Sequence, residues 1–221
     1  MSTQFRTAVS NIKAMLYFKN EHHSSLGAKF AHDDAVCVHL KEAGFTEVSA
    51  ELFPKTKKTK VLRAWAKNGD ATELKRVFAN MPFGSFIVQP GGSQCTPDIL
   101  IRDWCGRFVG MELKSAKGCS PTYNDNTPKD HFLYVFCSEK VNATTIYMGR
   151  DVVTVEQNIL ISEYKAGLTK HTLEYKAKFD ALNSRHKFKP GYRPKIEDST
   201  NYFTHEDRET CETNALMYAN E

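Results

Sequence analysis

The segment PDILIRDWCGRFVGMELK, residues 97–114, constrains the fold of this chain more than any other stretch. Two runs rich in branched and aromatic residues flank Asp103-Trp104-Cys105-Gly106. A three-residue hairpin loop ends in a left-handed residue, and glycine is preferred there because it has no Cβ to clash. Gly106 fills that slot. With Trp104-Cys105-Gly106 as the loop, Asp103 pairs with Arg107, and the register runs on until Asp98 lies opposite Glu112. Side chains alternate across a strand. Asp98, Glu112 and Lys114 therefore share one face, and Ile99, Ile101, Val109, Met111 and Leu113 share the other, which reads as a core face.

This register brings two carboxylates and an ammonium to one end of a sheet. Two carboxylates in contact repel unless a cation sits between them or one takes a proton. An oxygen-rich pair of this kind suits Mg²⁺ or Mn²⁺.

The chain around the hairpin changes character twice. Phe5, Val9, Ile12 and Leu16, and then Phe30, Val36 and Leu40, recur at helical spacing, with Gly44 placed as a stop. Val61, Leu62 and Trp65, then Leu74, Val77 and Phe78, continue the pattern, and Asn68-Gly69 divides it into two helices. After Pro82, five short runs (SFIVQ, PDILI, FVGMELK, HFLYVF, TTIYMG) read as strands between residues 85 and 149. A last helix is expected from Val155 to about Leu182, on Ile159, Leu160, Tyr164, Leu168, Leu173, Phe179 and Leu182. Pro190, Gly191 and Pro194 predict an irregular stretch, and Glu206-Asp207-Arg208-Glu209 a solvated helix start. The fold class is α/β (α+β): a central mixed sheet of about five strands flanked by helices. A length of 221 residues fits one domain, 1–221, with a helical part (1–84), a sheet core (85–152) and a helical end (153–221).

Pro97-Asp98, thirteen intervening residues, then Glu112-Leu113-Lys114 resembles the PD-(D/E)xK nuclease superfamily. PGGSQCTPDI, ELKSAKG, PTYNDNTPKDHFLYVF and TTIYMGRDVV are similar to the core of type II restriction endonucleases, over about a third of the chain. The resemblance implies a restriction-endonuclease-like core and Mg²⁺-dependent cleavage of double-stranded DNA, with Mn²⁺ able to substitute. Asp98 and Glu112, with the Leu113 carbonyl, would hold the metal. Lys114 would orient or help deprotonate the attacking water. Cutting both strands of a palindrome implies a two-fold homodimer, and such an enzyme implies a separate cognate DNA methyltransferase. A structure-specific repair or recombination nuclease and a non-catalytic DNA-binding protein of the same fold are the competing readings. Relatives often add an upstream glutamate to the metal, for which Glu42, Glu47, Glu51 and Glu73 are the candidates.

Expected DNA contacts follow from position and charge. Ser93 and Gln94 lie in the loop before the catalytic strand; Lys117, Tyr123, Asn124, Asn126 and Lys129 follow it. Asn suits adenine edges and Lys suits phosphates. Lys57, Lys58 and Lys60 belong to a run, residues 55–67, with six basic residues and no acidic one. A second basic stretch interleaved with aromatics spans residues 185–195. Net charge is only +4, so this distribution carries the argument and the total does not. Asn20-Glu21-His22-His23 lacks the partners of a histidine-based nuclease centre and reads as a helix end. Trp65 and Trp104 read as packing residues. The six cysteines form no CxxC pair, which predicts reduced thiols and no zinc ribbon. No apolar run approaches membrane-spanning length, and MSTQFRTAVSNIK lacks the apolar stretch of a signal peptide. The expectation is a cytoplasmic protein of bacterial, archaeal or viral origin.

Overall fold

A computed structural model describes residues 3–17, 27–93, 95–124, 127–182, 190–191 and 195–221. It is an α/β structure with a mixed sheet flanked by helices. In chain order come α1 (Thr3–Lys13), α2 (Gly27–Glu42), β1 (Thr46–Glu47), α3 (Lys55–Asn68), α4 (Thr72–Val77), β2 (Ser85–Val88), β3 (Ile99–Arg102) and β4 (Phe108–Ala116). They are followed by β5 (Thr122–Asn124), β6 (Leu133–Ser138), β7 (Ala143–Met148), α5 (Val155–Ala181), β8 (Lys195–Glu197) and α6 (Arg208–Tyr218).

The main sheet has strand order β1-β2-β3-β4-β6-β7, and β5 pairs with β8 in a separate ribbon. β1–β2 and β4–β6 are parallel; the other pairs in the main sheet are antiparallel. All five strands read from the sequence are present. The sheet nevertheless has six strands, because β1 adds an edge of two exposed residues, Thr46 and Glu47. Two polar residues carry no apolar alternation, so periodicity has nothing to detect at an edge so short. The β5–β8 ribbon was likewise not expected, since β5 lies inside a polar loop.

The sheet is buried on both faces: the face read as core from the hairpin is core, and the face that carries Asp98 and Glu112 is largely covered as well. One face (Ile99, Ile101, Val109, Met111, Leu113, Val135, Ile146) packs against Phe5, Val9 and Ile12 of α1, Val36 and Leu40 of α2, and Ala215 of α6. The other (Ile87, Leu100, Phe108, Tyr134, Phe136, Tyr147) packs against Leu62 and Trp65 of α3, Leu74 of α4, and Tyr202 and Phe203. All six residues of β6 are buried, as expected of a strand with neighbours on both sides and cover on both faces.

Gly44 (φ +92°) and Gly69 (φ +75°) end α2 and α3 in the left-handed region, where a Cβ would be strained. α1 stops at Lys13, so Leu16, expected on its apolar face, is exposed. α5 begins with a reciprocal cap: Thr154 Oγ1 accepts from Gln157 N at 3.2 Å, and Gln157 Oε1 from Thr154 N at 2.9 Å. No residue of α5 is buried. All six cysteines are unpaired. Among the described residues, no helix is long and apolar enough to cross a membrane.

Candidate active site

The β3–β4 hairpin is built on the register that its turn chemistry predicts. Asp103 N donates to Arg107 O at 3.0 Å, and Gly106, at φ +81°, donates from its N to Asp103 O at 3.1 Å. The fully buried Asp103 carboxylate locks the turn, accepting from Cys105 N (3.0 Å), Arg107 N (2.8 Å) and Arg107 Nε (3.1 Å). From there the ladder runs to Ile99 opposite Met111. One position further on, Asp98 and Glu112 stand across from each other.

Asp98 Oδ2 accepts the Leu113 N–H at 2.9 Å, so the carboxylate lies against the backbone of the opposite strand. Lys114 Nζ donates to Glu112 Oε1 at 2.7 Å. The second oxygen of Glu112 accepts from Thr96 Oγ1 at 2.5 Å. Asp98, Glu112, Lys114 and Thr96 are all half-buried. The three residues expected to share a face do so. Thr96 was not anticipated; a threonine two residues before an aspartate carries no signal of its own.

Further groups surround the pair. Tyr134 is the cross-strand neighbour of Glu112 on β6, and its hydroxyl accepts from Lys129 N at 2.8 Å. Burial, and then the Glu112 charge, raises the Tyr134 phenol well above its ordinary range. Burial and the nearby Lys165 of α5 lower the Lys129 ammonium, while Glu112 and Asp130 pull the other way. Lys129 therefore belongs to the electrostatic surroundings of Glu112, and Lys165 to those of Lys129. α3 closes the same side, with Leu62 and Trp65 packed in one cluster with Cys95 and Leu100. Burial raises the Cys95 thiol, and the charge of Arg63 on α3, with a hydrogen bond from it, opposes that rise. The site is thus two carboxylates with Lys114 hydrogen-bonded to Glu112 and Lys129 within electrostatic reach of it, while Lys165 lies beside Lys129 and Arg63 beside Cys95. Lys165 and Arg63 were not expected there.

The expected DNA contacts divide. Ser93, Lys117, Lys57 and Lys60 are exposed, and Lys129 is half-buried. Asn124 lies on β5. Gln94 and Asn126 fall outside the described residues, as do Asn20–His23 and most of 185–195. Two residues are corrected. Tyr123 is buried, its hydroxyl hydrogen-bonded to those of Tyr147 (2.7 Å) and Tyr202 (3.1 Å). Lys58 is buried too, and its ammonium donates to Ala50 O at 2.5 Å. In both cases an apolar body is drawn under the sheet cover and its polar tip is satisfied inside the protein.

None of the four upstream glutamates is placed with the pair. Glu42 pairs with His39, Glu47 with Lys41, and Glu73 with Arg76. Glu51 is exposed in the first turn of a short 3₁₀ helix. Among the described residues, no group of three or more His, Cys, Asp and Glu is arranged to hold a metal. Two hard carboxylates still match Mg²⁺ chemistry, because that ion keeps several waters and is commonly held by one or two carboxylates together with substrate phosphate.

Compared with family models, with curated proteins and with solved structures, the chain matches none.

Proposed function

We propose that this protein is a Mg²⁺-dependent endodeoxyribonuclease with a restriction-endonuclease-like core, hydrolysing phosphodiester bonds in double-stranded DNA at a specific sequence. One observation carries the reading. Asp98 and Glu112 stand opposite each other at the end of a hairpin, and Lys114 is hydrogen-bonded to Glu112. The resemblance of that constellation to PD-(D/E)xK nucleases assigns its chemistry. The cations around the pair suit an anionic diester and oppose its repulsion by two carboxylates.

Asp98 and Glu112, with the Leu113 carbonyl, would hold Mg²⁺, and Mn²⁺ could replace it. When bound, the ion supplies a lowered water pKa and charge neutralisation at the scissile phosphate. Thr96 fixes one oxygen of Glu112 and Lys114 the other, so the carboxylate cannot rotate freely. An ammonium has three N–H donors. With one on Glu112, Lys114 keeps two for the attacking water and a phosphate oxygen, which it orients towards each other. Lys129, Lys165 and Arg63 would hold neighbouring phosphates.

The test is digestion of a sequenced plasmid with Mg²⁺. Discrete fragments that disappear with EDTA, or with Asp98→Ala or Glu112→Ala, are expected. Both variants should still bind the duplex, and removing a negative charge near phosphate favours that binding. Full cleavage in metal-free buffer, or by either variant, would overturn the assignment.

A further inference from the structure

Tyr134 stands beside Glu112 in the parallel β4–β6 register and is buried. Its ring stacks on Tyr147, with 5.3 Å between centroids and 5° between planes. Phenylalanine would fill the same space and stack equally well, so what the hydroxyl adds is its bond from Lys129 N, at 2.8 Å. The Lys129 carbonyl in turn accepts from Phe132 N at 2.9 Å. The end of β7 closes on the same turn: Gly149 N donates to Phe132 O at 3.0 Å and Arg150 N to Asp130 O at 3.3 Å. A Cβ on Gly149 would overlap the Lys129 carbonyl, so only glycine allows this approach. Loop residues ordinarily move more than the elements they join; Lys129 is instead held at both its N–H and its carbonyl. Its side chain is half-buried, within electrostatic reach of Glu112 and beside Lys165 of α5. Two ammoniums in each other's field repel, and an anion next to them relieves that repulsion.

We propose that Tyr134 is a positioning residue for the reaction assigned to Asp98, Glu112 and Lys114: through the Lys129 peptide it sets where the Lys129 ammonium meets a phosphate next to the scissile one. The inference rests on the nuclease reading and deepens it. Tyr134 touches no substrate itself; its hydroxyl fixes the root of a long, flexible side chain whose far end does. Attraction and alignment then separate. Attraction follows charge and survives the loss of the hydroxyl. Alignment does not, and a misplacement of about 1 Å can cost on the order of 100-fold in rate. Removing the ammonium should weaken both binding and cleavage, whereas removing the hydroxyl should weaken cleavage alone.

The test uses the full chain and a short duplex bearing the cleavage site mapped on the plasmid. Tyr134→Phe should lower the single-turnover rate with Mg²⁺ on the order of 10- to 100-fold. Its duplex affinity in EDTA, and the salt dependence of that affinity, should match the wild type. Lys129→Ala should slow cleavage at least as much and also reduce the slope of log affinity against log salt by about 0.9, the counterion release of one phosphate. In the Lys129→Ala background, Tyr134→Phe should cause no further loss, because a residue that acts through Lys129 has nothing left to position. Gly149→Ala leaves the phenol intact and displaces the Lys129 carbonyl, so it should reproduce the loss of rate without loss of affinity. It decides the matter if Tyr134→Phe does not fold, and near-ultraviolet circular dichroism of Trp65 and Trp104 is the folding control for every variant. A wild-type rate in the folded variant overturns the inference and leaves the nuclease reading standing. So does a loss in the Lys129→Ala background equal to that in the wild type, or a salt slope that Lys129→Ala does not change. A wild-type chain that cuts no DNA overturns both.

Discussion

Thr96 Oγ1 donates to Glu112 Oε2 at 2.5 Å while Lys114 occupies the other oxygen of the same carboxylate. If Glu112 holds the metal as proposed, a carboxylate fixed in this way is oriented before the ion arrives. Groups that orient ligands in metal sites typically contribute about 10–100-fold in affinity or activity. Thr96→Val should therefore lower single-turnover cleavage by roughly that factor and raise the Mg²⁺ concentration needed for half-maximal rate. Thr96→Ser should recover most of the loss. A valine variant with unaltered Mg²⁺ dependence would leave Thr96 only a packing residue.

Lys114 should be the residue least tolerant of conservative change. Lys114→Ala is expected to slow the chemical step by about 10²–10⁴-fold, the usual scale for a positioned proton-transfer group. Lys114→Arg should rescue poorly, because guanidinium is planar, larger and always charged. Single-turnover cleavage of a short duplex at saturating enzyme is the measurement. Wild-type rate with arginine would limit Lys114 to electrostatic placement, and wild-type rate with alanine would remove it from the mechanism.

Tyr123 should affect stability and leave DNA affinity alone. Its hydroxyl joins Tyr147 and Tyr202, and Tyr202 donates to Asp198 Oδ2 at 2.5 Å. Tyr123→Phe leaves those partners short of one hydrogen bond inside the protein, at about 1–3 kcal/mol. Urea unfolding should register this, with duplex affinity unchanged. A tenfold affinity loss in a fully stable variant would return Tyr123 to the DNA surface.

His32 predicts a pH dependence of folding. The side chain is buried at 2% exposure with neither ring nitrogen hydrogen-bonded, and burial pushes its imidazole down to about 4 from the ordinary 6.5. Above pH 6.5 the ring is neutral in both folded and unfolded chains, so its full contribution is present. Between 6.5 and about 4 the unfolded chain takes up a proton that the folded protein does not, and stability falls through that window. A shift of this size corresponds to about 3 kcal/mol. Urea unfolding at about pH 7 and about pH 5 should show most of the loss, and His32→Leu should flatten it. An equally steep decline in the leucine variant would assign the acid sensitivity elsewhere.

How much was legible in the sequence depends on how local the cause is. Gly106 determines the turn, the turn determines the register, and the register places Asp98 across from Glu112 with Lys114 on the same face. Each step spans a few residues, so alternation and turn stereochemistry suffice. The five apolar strands and the divide at Asn68-Gly69 were legible for the same reason. Chemistry set by distant neighbours was not. Tyr123 and Lys58 look like surface contacts in a polar loop and a basic run, and only packing shows their polar tips satisfied inside the protein. Thr96 reaches Glu112 from the loop before β3, while Arg63 of α3 lies beside Cys95 and Lys165 of α5 beside Lys129, and no spacing in the chain encodes that convergence. A helix near residues 155–182 was equally legible, but that Leu160, Tyr164 and Leu173 stay exposed on it could be decided only once α1, α2, α3, α4 and α6 had covered both faces of the sheet. Local stereochemistry is written in consecutive residues; burial and electrostatic neighbourhood arise only when remote segments compete for the same surface.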